Sequence, residues 1–286
     1  MGDTISFRKM NGLGNDFVVL DARENSLPMN AAIARAIADR DTGVGCDQVI
    51  VIRKDNVTPA FMEIWNRDGS RVAACGNASR CVADILMNEQ GRESITFRTA
   101  AGLLKAWRRE DGMIEVDMGA PRFDWQDIPL AEEFRDTRGI ELQIGPIDDP
   151  VLHTPAVVNV GNPHAVFFVA DIDNIDLAGA GPLLEHHPIF PEGANISVAQ
   201  VLSPAHIRMK VWERGAGLTK ACGTAACAAA VCAARKQLTD RSVRVTLPGG
   251  DLFIDWREDD DHIRMAGPVA YEFEGTLPAD MFAQGA

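Results

Sequence analysis

One cysteine-centred passage occurs twice in this chain. Trp65-Asn66-Arg67-Asp68-Gly69-Ser70-Arg71-Val72-Ala73-Ala74-Cys75-Gly76-Asn77-Ala78 aligns without a gap on Trp212-Glu213-Arg214-Gly215-Ala216-Gly217-Leu218-Thr219-Lys220-Ala221-Cys222-Gly223-Thr224-Ala225, at a constant offset (212 − 65 and 222 − 75 are both 147). Gly14-Asn15 falls on Gly161-Asn162, and Gln48-Val49 on Asn195-Ile196, at the same offset (161 − 14 and 195 − 48). A length of 286 residues allows one large or two medium domains, and the duplication decides for two. Two like domains facing each other across a cleft would each present one of the matched cysteines.

The hydrophobic pattern supports the repeat. Asp16 to Asp21, Gln48 to Arg53 and Ala60 to Trp65 read as strands in the first half. His164 to Ala170, Ile196 to Leu202 and Ile207 to Trp212 are their counterparts. Ile207, Met209 and Val211 alternate with Arg208 and Lys210, as a half-buried strand requires. A helix is expected after each Cys-Gly. The first has Ala78, Cys81, Val82, Ile85 and Leu86 on one face and stops near Gly91. The second, Ala225 to Ala234, is apolar all round and should be enclosed by strands. Asn77 and Thr224 stand where N-caps are expected. The stretch from Gly119 to Pro150, rich in Pro, Asp and Glu, reads as the inter-domain connection. The fold class is therefore α+β: two pseudo-symmetric domains, each a curved, mostly antiparallel sheet or barrel around a central helix. The expected boundaries are residues 1–119 and 120–266.

The formal net charge of −13 argues against a nucleic-acid surface, which needs clustered Lys and Arg. No apolar run approaches the ~18 residues of a membrane span, and no signal-peptide core precedes Phe7-Arg8-Lys9. Gly2 and Ser6 fit the loose myristoylation pattern, but the following residues read as a strand. A cytoplasmic location is expected. In that setting the six cysteines (46, 75, 81, 222, 227 and 232) are read as reduced or catalytic rather than as a disulfide framework. None shows the Cys-x-x-Cys spacing of a structural zinc site, so no metal is expected.

Paired thiols suit one kind of chemistry. Inverting a carbon that bears an acidic hydrogen needs a base on one face and an acid on the other, and a thiolate and a thiol supply both. A free thiol titrates near ~8.5, and a helix N-terminus is expected to lower that value. The free N–H groups of Gly76-Asn77 and Gly223-Thr224 can grip a carboxylate and stabilise charge building on it. A lone cysteine in such a place would read as a buried spacer; a matched pair in two Ala-Cys-Gly turns favours catalysis. Around the pair the lining is not duplicated. Asn66 faces Glu213, Phe17 faces His164 and Gln48 faces Asn195, which suits a ligand whose two ends differ. His164 reads equally well as a satisfied structural histidine, and Glu213 as an ion-pair partner of Arg214. Arg214 could hold a second carboxylate bidentately.

Taken together, Lys9-Met10-Asn11-Gly12-Leu13-Gly14-Asn15-Asp16-Phe17, Gly45-Cys46-Asp47-Gln48, Asn66-x-Asp68-Gly69-Ser70, Cys75-Gly76-Asn77, Gly161-Asn162-Pro163-His164, Glu213-Arg214-Gly215-Ala216-Gly217 and Ala221-Cys222-Gly223-Thr224 resemble diaminopimelate epimerases. The resemblance runs from residue 9 to about Gly250, in the family's order. It implies interconversion of LL- and meso-diaminopimelate on the route to lysine and peptidoglycan, without pyridoxal phosphate, metal or other cofactor. It makes Cys75 and Cys222 the proton-transfer residues, with His164 and Glu213 assisting. The amides of Gly76, Asn77, Gly223 and Thr224 would take the reacting carboxylate. Asn11, Gln48, Asn66, Asn162, Asn195, Glu213 and Arg214 would line the rest of the substrate. It further implies a homodimer and a C-terminal strand, at about 267–286, that joins the first domain. Ala78, Ser79, Cys46 and Ala225 depart from common family residues beside the contact positions.

Two other readings stay open at this level. A proline or hydroxyproline racemase would share the paired cysteines, although those enzymes usually carry His where Asn77 stands. A bilobal amino-acid binding protein would need no titrating thiols. A phenazine-type isomerase of this fold would be expected to lack the cysteine pair.

Overall fold

The computed structural model describes residues 4–283; Gly2 and the last three residues of the C-terminal tail lie outside them. The chain divides into two units, residues 1–116 with 267–286, and residues 117–266.

In the first unit, β1 (Thr4–Gly12) and β2 (Asn15–Ala22) form a tight antiparallel hairpin. A short helix, α1 (Ala31–Ala38), then leads to β3 (Gln48–Arg53), which runs parallel to β2. β4 (Phe61–Asn66) and the two-residue β5 (Arg71–Val72) follow as antiparallel neighbours. The buried helix α2 (Gly76–Gln90) comes next, then the antiparallel run of β6 (Ser94–Thr99), β7 (Gly102–Arg108) and β8 (Ile114–Asp117). Gly91, with φ 59°, ends α2 in the left-handed conformation that glycine adopts without strain.

The second unit repeats this plan. β9 (Gln143–Ile144) and β10 (Leu152–His153) form a small ladder, and β11 (Ala156–Asn159) and β12 (Pro163–Phe168) a hairpin. Helix α3 (Leu177–Glu185) precedes β13 (Asn195–Ser203), which runs parallel to β12. β14 (His206–Glu213), β15 (Gly217–Thr219) and α4 (Gly223–Arg235) lead to β16 (Ser242–Leu247), β17 (Gly250–Trp256) and β18 (Ile263–Gly267). The last strand, β19 (Ala270–Pro278), returns to the first unit, where it pairs with β1, and α5 (Asp280–Ala283) ends the described chain.

The offset survives in the strand register. Phe17 opposes Gln48 and Val49 opposes Trp65 in the first unit; His164 opposes Asn195 and Ile196 opposes Trp212 in the second. Ile64 pairs with Val72, as Val211 pairs with Thr219. Ala225 through Ala233 are all buried, and α4 packs against β11 to β14, β16 and β17, where alanines let strand backbones approach.

Among the elements that go beyond the sequence pattern are α1, which buries Ile33, Ala34, Ile37 and Ala38, and α3, which occupies the equivalent place in the second copy. The stretch from Gly119 to Pro150 also differs from a bare connection. Ile128, Leu130, Ile140 and Leu142 are buried in the core of the second unit. Its Pro and acidic residues mark turns, while its spaced apolar residues anchor it to that unit.

Candidate active site

Each matched cysteine ends a strand-and-turn segment and is itself the N-cap of the following helix. Cys75 (φ −150°, ψ 112°) caps α2, and Cys222 (φ −137°, ψ 112°) caps α4; neither helix has a side-chain capping bond. The helices therefore begin earlier than Asn77 and Thr224 suggest. Gly76 and Gly223 are the first helical residues, and the N–H groups of each first turn have no partner within their helix.

The two thiols have different neighbours. Cys75 is partly exposed, and Asn15 Oδ1 lies 3.9 Å from its Sγ. Asn77 Nδ2 donates to the same oxygen at 3.5 Å, while Asn15 Nδ2 donates to Asp47 Oδ2 at 3.0 Å. Asp47 and Asp16 share the Arg40 guanidinium, and Lys9 Nζ reaches both Asp16 and the Gly45 carbonyl. Burial works against ionisation of Asp16, but these two cations hold its carboxyl well below the usual range. Asn11, by contrast, uses its Oδ1 to accept the Gly14 N–H of the β1–β2 turn. Asn15, which the sequence motifs do not single out, is thus the asparagine beside the thiol. The repeat carried the signal, because Asn15 is the counterpart of Asn162 (162 − 15 is 147).

Cys222 is 6% exposed, and Thr224 Oγ1 lies 3.5 Å from its Sγ. Burial first, and the charge of Glu213 second, push its thiol well above the ordinary value. Hydrogen bonds from the Thr224 hydroxyl and the Ala225 amide act the other way and are outweighed. The expectation that the helix end would lower this thiol is therefore corrected: desolvation is the larger effect. Glu213 does not pair with Arg214. Thr219 Oγ1 donates to its carboxylate, and the Cys222 thiol interacts with it.

His164 is completely buried on β12. Its Nε2 meets Asn162 Oδ1 at 2.8 Å, and its Nδ1 has no hydrogen-bond partner among the described residues. Burial, with a lesser contribution from the Arg214 charge, pushes it down to about 3, so it is a neutral imidazole at physiological pH. The Arg214 guanidinium donates to the Glu192 carbonyl at 2.9 Å and has no carboxylate partner among the described residues. Asn195 is spent within the protein, donating to the Pro163 carbonyl and accepting the Arg214 N–H. Glu185, at the end of α3, fixes the turn that carries Glu213 and Arg214. It accepts from Trp212 Nε1 at 2.7 Å and from the Gly215 N–H at 2.9 Å. Gln48 Nε2 donates to Asn66 Oδ1 at 2.9 Å. No group of three or more His, Cys, Asp or Glu among the described residues could hold a metal ion.

A family model described as diaminopimelate epimerase matches residues 7–123 and 156–272, one segment from each copy of the repeat. The chain belongs to the diaminopimelate epimerase family. The diaminopimelate epimerase of Afipia carboxidovorans is 58% identical over 281 residues, covering 97% of both chains. That of Rhodopseudomonas palustris strain BisB18 is 56% identical over 283 residues, covering 98% of this chain and 97% of that one. Among solved structures, a hydroxyproline epimerase from Agrobacterium vitis superposes with a TM-score of 0.65 at 14% identity, covering 96% of this chain and 92% of that one. A phenazine biosynthesis protein from Bacillus anthracis gives 0.64 at 17%, covering 96% and 99%. At such identities the likeness is one of fold, and it agrees with the α+β architecture of the diaminopimelate epimerase family. No described helix is long and apolar enough to cross a membrane.

Proposed function

We propose that this protein is a diaminopimelate epimerase, an isomerase that interconverts LL- and meso-diaminopimelate by proton transfer between two cysteines. The observation that supports the reading most is the duplicated cap. Each unit sets a cysteine at the N-terminus of a buried helix with no side-chain cap, in a chain of this family. One thiolate removes the α-hydrogen as a proton. The electron pair of the broken C–H bond delocalises onto the adjacent carboxylate, and the other thiol returns a proton to the opposite face. The amides of Gly76, Asn77, Gly223 and Thr224 hold that carboxylate and stabilise its added charge.

Cys222 rests as a neutral thiol, an acid ready to donate. Glu213, in contact with it, is placed to take its proton when the reverse reaction needs a thiolate. His164, neutral and with a free ring nitrogen, assists proton movement. Arg214, with no carboxylate of its own among the described residues, holds the distal carboxylate. Asn11, Asn15, Gln48, Asn66, Asn77, Asn162 and Asn195 line or position the remainder. In this reading the enzyme works without a cofactor, as a cytoplasmic homodimer in lysine and peptidoglycan-precursor synthesis.

The test is a stereochemical assay of the purified protein. LL-diaminopimelate should be converted to meso product, with proline and trans-4-hydroxyproline left unchanged. Racemisation of proline in preference to diaminopimelate would reassign the enzyme to the racemases, and ligand binding without conversion would favour a binding protein.

A further inference from the structure

A carboxylate can only accept hydrogen bonds, so it dictates the direction of every bond in a chain of hydroxyls and carboxamides attached to it. The first unit contains such a chain. Asp68 Oδ1 lies 2.6 Å from Ser70 Oγ, so the single hydroxyl hydrogen points to the carboxylate. Ser70 Oγ can then only accept, and Asn66 Nδ2 donates to it at 3.0 Å. That turns Asn66 Oδ1 toward Gln48, whose Nε2 donates to it at 2.9 Å. The end of the chain is Gln48 Oε1, buried and without a hydrogen-bond partner among the described residues.

A second chain has the same sense. Asp47 Oδ2 takes the Asn15 Nδ2 donor, Asn15 Oδ1 takes the Asn77 Nδ2 donor, and Asn77 Oδ1 is left buried and unpartnered on a residue that is 3% exposed. The second unit lacks the device. Gly215 and Gly217 stand where Asp68 and Ser70 do (215 − 68 and 217 − 70 are both 147), Ala194 stands for Asp47, and Asn195 has both ends of its carboxamide occupied.

We infer that Asp68, acting through Ser70 and Asn66, and Asp47, acting through Asn15, are positioning residues. They leave Gln48 Oε1 and Asn77 Oδ1 as unpaired acceptors for the N–H groups of a substrate ammonium. A buried acceptor left unpaired is costly, and an ammonium offers only donors, so the match selects an amine over a group that cannot donate. The inference rests on the amino-acid substrate class proposed above and adds the residues that set the polarity of its wall.

The experiment compares D68N, S70A and S70T in the full-length enzyme. The carboxamide introduced by D68N can donate to Ser70 and permits the chain to reverse. S70A cuts the chain without changing charge, and S70T keeps the hydroxyl. D68N and S70A should raise KM for diaminopimelate about tenfold, with kcat changed less than about threefold, and S70T should keep the wild-type KM. Inhibition by 2,6-dihydroxypimelate, whose hydroxyls donate or accept equally well, should stay within about twofold of wild type in all three. Unchanged KM in D68N and S70A, or equal losses toward the amine and the hydroxyl compound, would overturn the inference. A wild-type protein inactive on diaminopimelate would strike the functional reading instead. The polarity would then be read from the Gln48 side-chain amide in the nitrogen-15 NMR spectrum of the free protein. A shift in S70A and none in S70T supports the chain, and no shift in either refutes it.

Discussion

Cys75 and Cys222 sit on the same backbone and in different chemistry. Both cap a buried helix with nearly the same φ and ψ, and both follow a strand pair in the same register. Around Cys75 the neighbours are carboxamides ordered by carboxylates, and the thiol is partly exposed. Around Cys222 they are a carboxylate and a hydroxyl, and the thiol is buried and held neutral. The duplicated frame sets where a thiol stands; the depth of burial and the unduplicated side chains decide its proton affinity and what it faces. An enzyme that reacts at one end of its substrate and only holds the other can thus be built from two equal halves.

The comparison can be broken most severely at the thiols. Cys75→Ala and Cys222→Ala should each lower turnover on the order of 10³-fold, and the double variant should be no worse than the poorer single one, because the pair acts as a unit. Initial rates of meso formation check this; full activity in either single variant contradicts a role for that half. Next in size is Glu213→Gln, which removes the base beside Cys222 and should cost about 10²-fold in kcat. Placing glutamate at the equivalent position of the other half, as Asn66→Glu, should not compensate.

A smaller effect probes the frame itself. A Cβ at Gly181 would lie 2.5 Å from the Trp212 ring, whereas the equivalent residue of the first unit is the buried Ala34 (181 − 34 is 147). Gly181→Ala should therefore destabilise the protein by about 1–3 kcal/mol. Thermal or denaturant unfolding reads the change, and an unaltered transition would show that the two halves pack alike there.

The mildest test concerns His164, whose place in the first unit is taken by Phe17 (164 − 17 is 147). Its folded value of about 3 lies below the ordinary 6.5, so below pH 6.5 the unfolded chain takes up a proton that the native one refuses. Stability present above pH 6.5 is therefore lost as pH falls toward 3, with a slope approaching about 1.4 kcal/mol per pH unit from this group. His164→Gln should flatten the decline between pH 6.5 and about 4.5, and an unchanged slope would mean that the imidazole is protonated in the fold.

The repeat, the strand register and both central helices are legible in the sequence because backbone pairing and buried apolar faces leave a pattern in residue spacing. Gln48 to Arg53, for example, is a strand over the range its run of β-branched residues and polar flanks predict. The helix starts are harder to place because the usual capping residues, Asn77 and Thr224, lie two positions inside; the cap position holds the thiols, which make no capping bond. The place of Asn15 beside Cys75 escapes the sequence because only the folded hairpin brings that asparagine to the thiol, a matter of three-dimensional closure. The proton affinity of Cys222 escapes the sequence for a similar reason. The helix end is visible there, but the depth of burial that outweighs it is not.

The most direct measurement is epimerisation of LL-diaminopimelate in deuterated water, stopped at low conversion, with deuterium read separately in product and recovered substrate. A thiolate that takes the α-proton can return only that same proton, whereas the product receives its hydrogen from the second thiol, already exchanged with solvent. The account predicts deuterium at one α-carbon of the meso product and none in the remaining LL substrate. Deuterium entering recovered substrate as fast as product would mean that a single base serves both faces, and the pairing of Cys75 with Cys222 would fail.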